Sequence, residues 1–265
     1  MHLSFDHLVH FSPDPIKAQK ELNEYGINVV KGGIHEKWGT FNTLAYFNLS
    51  YIEWLGLRDI ALAQTVTDND LIQQLVNEHT PVGHFGRFAL RTDDMDLLIK
   101  ELESKNVTVK GPVAGSRQTN DGERLEWKMC FIEADHDSLP LPFFIEWGEP
   151  EEKRKPKLAA LSSHQAGQLQ LKNIYCAVHN LEESISKWTK LLDIQSAESY
   201  KDSLLNARCQ KLYVNGGNLI FCSGTQGVVH DTLKKVGERP FLVELDHALT
   251  PQQITVQGAS FKFNK

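Results

Sequence analysis

Apolar positions along the chain fall into short alternating runs separated by helical stretches, and the order of these runs repeats. Residues 3–11 alternate as a strand does. Asp14 is placed to cap a helix and Pro15 suits a first helical position, so a helix is predicted from Ile16 to Tyr25, with Gly26 as its stop. Lys31 to Thr40 is glycine-rich and reads as irregular. Strands follow over Asn42 to Phe47 and Tyr51 to Leu57, separated by the turn Asn48-Leu49-Ser50. A helical linker, about Asp68 to His79, leads to a second unit of the same order. Phe85 to Arg91 is its strand, Asp93-Asp94 its cap, Met95 to Ser104 its helix, and Val107 to Val109 its next strand. Laid on the first unit, Asp6-His7-Leu8-Val9 falls over Gly86-Arg87-Phe88-Ala89.

Glu149 to Gln168 is charged and carries two prolines, which marks a boundary. A third copy follows, with a strand over Leu171 to Tyr175, a cap at Asn180 and a helix from Leu181 to Leu192. A hairpin of Ala207 to Val214 and Asn218 to Cys222 turns at Gly216-Gly217. Phe241 to Leu245 starts a fourth copy that is truncated: Thr250-Pro251-Gln252-Gln253 stands where the helix would be, and Ser260 to Phe263 closes the chain. The expected organisation is therefore residues 1–148 as two strand–helix–three-strand units, 149–167 as a charged linker, and 168–265 as a smaller degenerate third unit with a truncated fourth. The fold class is α+β, with βαβββ units curling into open-barrel sheets and helices outside.

One word of sequence closes both of the first two units: Tyr51-Ile52-Glu53-Trp54 and Phe144-Ile145-Glu146-Trp147. A carboxylate inside an apolar strand loses solvation unless something compensates it. Strand alternation places Tyr51 with Glu53, and Phe144 with Glu146, on one face, expected to line a shared cavity. Trp54 and Trp147 would then face the helices.

Composition narrows the function classes. The net charge is −6 with both signs mixed, which lacks the basic stripe of a nucleic-acid binder. No apolar run approaches the length of a membrane span, and the first residues do not read as a signal peptide. Four scattered cysteines without a C-x-x-C pair suggest reduced thiols and a cytoplasmic location. Nucleotide-binding glycine motifs and a G-x-S-x-G elbow are absent from the sequence.

The paired units, with a His in the first strand and a Glu in the last, resemble the vicinal oxygen chelate superfamily of glyoxalases, extradiol dioxygenases and bleomycin-resistance proteins, and within it the glyoxalase-like domain branch. The resemblance rests on Phe5-Asp6-His7-Leu8-Val9, Gly33 to Asn42, Tyr51-Ile52-Glu53, Gly115-Ser116-Arg117, Asp121-Gly122, Leu125-Glu126-Trp127 and Pro142 to Trp147. It implies a cavity whose four corners are His7, Glu53, Arg87 and Glu146, with His7, Glu53 and Glu146 as ligands of a divalent metal (Zn, Mn, Fe or Mg) and the two glutamates as catalytic groups. Arginine cannot ligate, so a second arrangement stands beside this one, in which Arg87 pairs with Glu53 or Glu146 and no metal is held. His35, Asn42, Tyr51, Arg87, Arg117 and Phe144 are the expected substrate-binding residues, Arg117 in an anion-holding loop with Asp121-Gly122. Two functions stay open: a metal-dependent lyase, isomerase or dioxygenase acting on a small vicinal-oxygen substrate, or a metal-free protein that binds or sequesters a small ligand. Neither nucleic acid nor membrane is expected as a partner. The third unit, with Asn173 where His7 stands, reads as scaffold or as a homodimer surface.

Overall fold

The computed structural model describes residues 3–118, 122–133 and 138–265. Its first sheet holds eight strands in the order β2-β3-β4-β1-β5-β8-β7-β6. These are β1 (Ser4–Phe11), β2 (Val30–His35), β3 (Thr40–Phe47), β4 (Ser50–Leu57), β5 (His84–Arg91), β6 (Val109–Gln118), β7 (Arg124–Ile132) and β8 (Phe143–Trp147). The first strand of each unit pairs parallel with its last, β1 with β4 and β5 with β8, and β1 and β5 join the units antiparallel. Edge strands β2 and β6 approach each other where Arg117 donates to the Gly32 carbonyl at 2.6 Å, which curls the sheet toward closure.

Helices α1 (Pro15–Glu24) and α4 (Met95–Ser104) start at Asp14 and Asp94, whose carboxylates accept from Lys17 N and Leu97 N. Both pack their apolar stripe on the convex face, with Phe5, Leu8, Trp54 and Phe88. The linker between the units supplies α2 (Ile60–Thr65) and α3 (Asp70–Glu78). Leu71, Ile72 and Leu75 of α3 pack with Val9, Phe11, Ala89 and Phe143, so α3 roofs the concave face. The stretch read as irregular contains β2 and a 3-10 turn at Glu36–Trp38. Gly39 ends that turn at φ +64°, and a Cβ there would lie 2.5 Å from the Asp59 carbonyl, so only glycine fits.

The charged segment after β8 is no extended linker. It folds as α5 (Glu151–Ala159), and Arg154 is buried with its guanidinium 4.1 Å over the Trp147 ring. The second sheet has the order β10-β11-β12-β9-β13-β15-β14, from β9 (Gly167–Ala177), β10 (Tyr200–Asp202), β11 (Ala207–Leu212), β12 (Asn218–Ser223), β13 (Arg239–Ala248), β14 (Gln252–Val256) and β15 (Ala259–Phe263). Its βαβββ unit carries α6 (Leu181–Leu192), capped by Asn180; the last unit lacks a helix, and Gln252-Gln253 opens β14. A further helix, α7 (Gly227–Val236), packs Val229 and Leu233 on Tyr175, Ile220 and Phe241. The two sheets share one core through their convex faces, where Phe261 meets Trp54 and Phe85 at ring distances of 6.2 and 5.8 Å, and Trp188 of α6 meets Phe88. Among the described residues no helix is long and apolar enough to cross a membrane.

Candidate functional site

His7 lies on the concave face of β1, opposite Tyr51 of β4, and the two rings stack at 4.4 Å. The β1–β5 register slips between Phe5 and His7, so Asp6 is an extra residue in its strand. A bulge of this kind lets neighbouring side chains share a face. Asp6 accordingly accepts from His7 Nδ1 at 2.7 Å and from Trp147 Nε1 at 3.0 Å, with no exposure to solvent. Burial opposes ionisation of Asp6, but the His7 hydrogen bond and the nearby His7, Arg154 and Arg91 charges leave its carboxyl below the usual range. On the other side of the imidazole, Nε2 stands 3.5 Å from Glu53 Oε2. Glu53 Oε1 accepts from Asn42 Nδ2 at 2.5 Å, and Asn42 Oδ1 in turn accepts from Gly33 N. Asp6, His7, Glu53 and Asn42 thus form one buried chain of polar contacts.

These groups line a small cavity between the concave sheet and α3. Leu55, Ile72, Met129 and Phe143 give it apolar walls, and Trp38, Trp127 and Trp147 an aromatic one, with Trp127 5.6 Å from Trp147 and 6.4 Å from Trp38. The predicted residues His35, Asn42, Tyr51 and Arg117 all reach it. His35 Nδ1 meets Thr40 Oγ1 at 3.0 Å; burial pulls its pKa down to about 4, with Glu53 opposing and Arg117 adding to the shift. Arg117 also contacts the Tyr46 hydroxyl at 3.4 Å. It serves the cavity wall; of the loop proposed with it, Asp121 lies outside the described residues. Tyr51, Arg117 and Trp147 continue into an outer cleft of about 660 Å³ beside α5.

The second unit does not contribute as the repeated word suggests. Pairing sets Glu53 beside Val9 and Phe143 beside Ala89, and Val9 and Ala89 correspond in the two units. The counterpart of Glu53 is therefore Phe143, and Glu146 sits three positions further on. Three is odd, so Glu146 faces the opposite side of the sheet. It accepts from Met95 N at 2.6 Å, at the start of α4, and lies 3.5 Å from Lys128. Phe144 is buried in the convex core, while Trp147, expected to face the helices, lines the cavity. Tyr51, Glu53 and Trp54 point as expected. Arg87 pairs with neither glutamate. Its Nε donates to the Leu141 carbonyl at 2.6 Å, and its guanidinium lies 5.6 Å from the Phe131 ring centre. Burial lowers its pKa to about 10, with Asp70 and Glu78 of α3 opposing. A second register slip, two residues of β5 against one of β1, puts Gly86 and Arg87 in this place. Arg91 is buried, donating to the Phe5 carbonyl and to Glu151.

The donor set does not fit a resident divalent metal. Only His7 Nε2 and Glu53 Oε2 of the four predicted corners converge; Arg87 does not line the cavity, and Phe143 stands where the second unit's carboxylate would. Among the described residues no group of three or more His, Cys, Asp or Glu side chains is arranged to hold a metal ion. Closed zinc sites use four protein ligands and open ones three.

The family model described as "Glyoxalase-like domain" matches residues 5–192. The chain belongs to the glyoxalase-like domain family. Its curved βαβββ sheets are those of the vicinal oxygen chelate fold. A hypothetical protein from Staphylococcus aureus is similar in fold, with a TM-score of 0.83 and 24% identity over 99% of this chain and 100% of that one. A mutant of 4-hydroxymandelate synthase from Streptomyces coelicolor aligns with a TM-score of 0.57 and 11% identity, over 93% of this chain and 71% of the other. At these identities the likeness is one of fold. No curated protein matches the sequence.

Asp6 and Trp147 are functional candidates that sequence reasoning assigned no role. Neither had a local signal, because a bulge and a three-residue offset put them there. Asn69, discussed below, had one: an Asn directly before Asp70-Leu71-Ile72 is a helix cap.

Proposed function

We propose that this glyoxalase-like protein binds a small carbonyl compound and moves a proton on the carbon beside its carbonyl, as an isomerase or lyase does, with Glu53 as the base. The observation that supports this reading is the His7–Glu53 contact of 3.5 Å. Asp6 accepts a hydrogen bond from His7 Nδ1. His7 Nε2 is thereby aimed at the Glu53 carboxylate, and the two groups face each other in the cavity. A carboxylate beside an oriented imidazole in a buried pocket suits general acid–base chemistry.

In the proposed step the Glu53 carboxylate takes the C–H proton, and the bonding pair moves onto the carbonyl oxygen as an enolate. The proton held by Glu53 then returns to the substrate, directly or through the adjacent His7. Asn42 fixes the carboxylate, Tyr51 fixes the imidazole plane, and neutral His35 adds a polar wall without a competing charge. Pure binding would not call for two ionisable groups buried against each other, since their desolvation opposes folding.

The test is loss of C–H signal in deuterium oxide, followed by proton NMR on small 2-oxo acids and 2-hydroxy ketones. Wild type should exchange at least one of them, and Glu53→Gln should slow that exchange by on the order of 10²-fold or more while still binding. Binding without exchange on any of them would overturn proton transfer and favour ligand sequestration.

A further inference from the structure

The roof of the cavity holds two hydrogen-bond donors with nothing to donate to. Asn69 caps α3: its Oδ1 accepts from Leu71 N at 3.1 Å and from Ile72 N at 3.3 Å. The cap fixes which end of the amide faces the helix, and so turns Nδ2 away from it. Nδ2 has no partner, and Asn69 is 0% exposed. Trp38, presented by the 3-10 turn that Gly39 closes, is 4% exposed, and its Nε1 is likewise unpartnered. Both residues line the same cavity as His7 and Glu53. A buried donor left unsatisfied is costly, and native proteins keep few of them. Two at one small cavity, both donors, call for an acceptor from outside the chain.

We propose that Trp38 Nε1 and Asn69 Nδ2 form a two-donor cradle for one oxygen of a carbonyl or carboxylate ligand seated in this cavity. The cradle rests on the cavity being the ligand site, as proposed above, but not on Glu53 acting as a base. Its position under the N-terminus of α3, a nine-residue helix, adds partial positive charge. Asp70 in the first turn is drawn outward to Lys110 at 3.5 Å. Set against Glu53 on the sheet floor, the cradle holds the oxygen on which negative charge would develop when a neighbouring C–H is deprotonated. It is an oxyanion site built from an indole and a helix cap.

The five tryptophan indole N–H signals give a direct readout, with the Trp38 signal assigned by its loss in Trp38→Phe. The protein is titrated with pyruvate, benzoate and acetophenone, and with toluene as a shape control without oxygen. The expected result is a saturable downfield shift of the Trp38 signal with at least one oxygen-bearing probe and none with toluene. Asn69→Asp keeps the helix cap and removes the N–H donor. It should weaken that probe by about tenfold or more without changing the helical circular dichroism. Three outcomes overturn the cradle: a Trp38 signal unmoved while other pocket signals shift, unchanged affinity in both Asn69→Asp and Trp38→Phe, or no shift with any of the probes, which means the donors hold water only. Failure of Glu53→Gln to affect proton exchange would leave the indole titration intact, so the two claims fail separately.

Discussion

At the scale of single residues, the site depends on what holds His7. Asp6 orients the imidazole by accepting from Nδ1–H, so Asp6→Asn removes the charge that favours this tautomer. Proton exchange should fall on the order of 10²-fold, with probe affinity nearly unchanged; an equal loss of affinity would make Asp6 a packing residue only. Because only two groups converge, added Mn or Zn should leave the thermal midpoint nearly unchanged, whereas a rise of many degrees that Glu53→Ala abolishes would show a metal site. Buried histidines contribute to the acid response, His164 among them, whose pKa burial also lowers. Burial holds His35 at about 4 and His10 at about 3, both below the ordinary 6.5. The unfolded chain therefore binds more protons between these values. Stability should be complete above about pH 6.5 and fall as the pH drops toward 4 and then 3, each histidine contributing a slope of up to about 1.4 kcal/mol per pH unit. Unfolding in denaturant at stepped pH measures this, and a flat profile between pH 7 and 4.5 would contradict the buried, neutral assignment.

Among the elements, β8 and α4 show what the repeated word of sequence does. Glu146 caps α4 from a neighbouring strand, so Glu146→Ala should cost about 1 kcal/mol and leave probe binding alone; a loss of binding would return Glu146 to the pocket. The sequence made most elements legible: the caps at Asp14, Asp94 and Asn180 and the helices after them are where residue chemistry puts them. It also made half the site legible, since His7, His35, Asn42, Tyr51, Glu53 and Arg117 do meet. The rest depends on register. A one-residue bulge at Asp6, an extra residue at Gly86-Arg87 and a three-residue offset of Phe144-Ile145-Glu146-Trp147 each reverse a face, and strand alternation carries no mark of them. Helix α5 was hidden for another reason: Pro156 and its charges read as solvent-exposed, while burial of Arg154 on Trp147 supplies packing that local pattern does not show.

For the molecule as a whole, the two sheets share a core through their convex faces, and the cavity lies on the concave side of one. Phe261 of the second sheet is fully buried against Trp54 and Phe85 of the first. Phe261→Ala should therefore cost about 3–5 kcal/mol and lower a single unfolding transition seen alike by probes in either sheet. Two separated transitions would show independent units. The second sheet steadies β1, β4 and β5 from behind: Ser50 Oγ donates to both the Phe5 and Gly216 carbonyls at 3.0 Å, and the Phe5 N–H donates to the Asn215 carbonyl at 2.7 Å, next to the Asp6 bulge. On this account one unit supplies the reactive pair, its repeat supplies apolar wall and helix cap, and the other sheet supplies rigidity. The most direct measurement compares deuterium incorporation by Glu53→Gln and Glu146→Gln on the same carbonyl compound. The account predicts exchange lost in Glu53→Gln and kept near the wild-type rate in Glu146→Gln; equal loss in both, or no loss in Glu53→Gln, would contradict it.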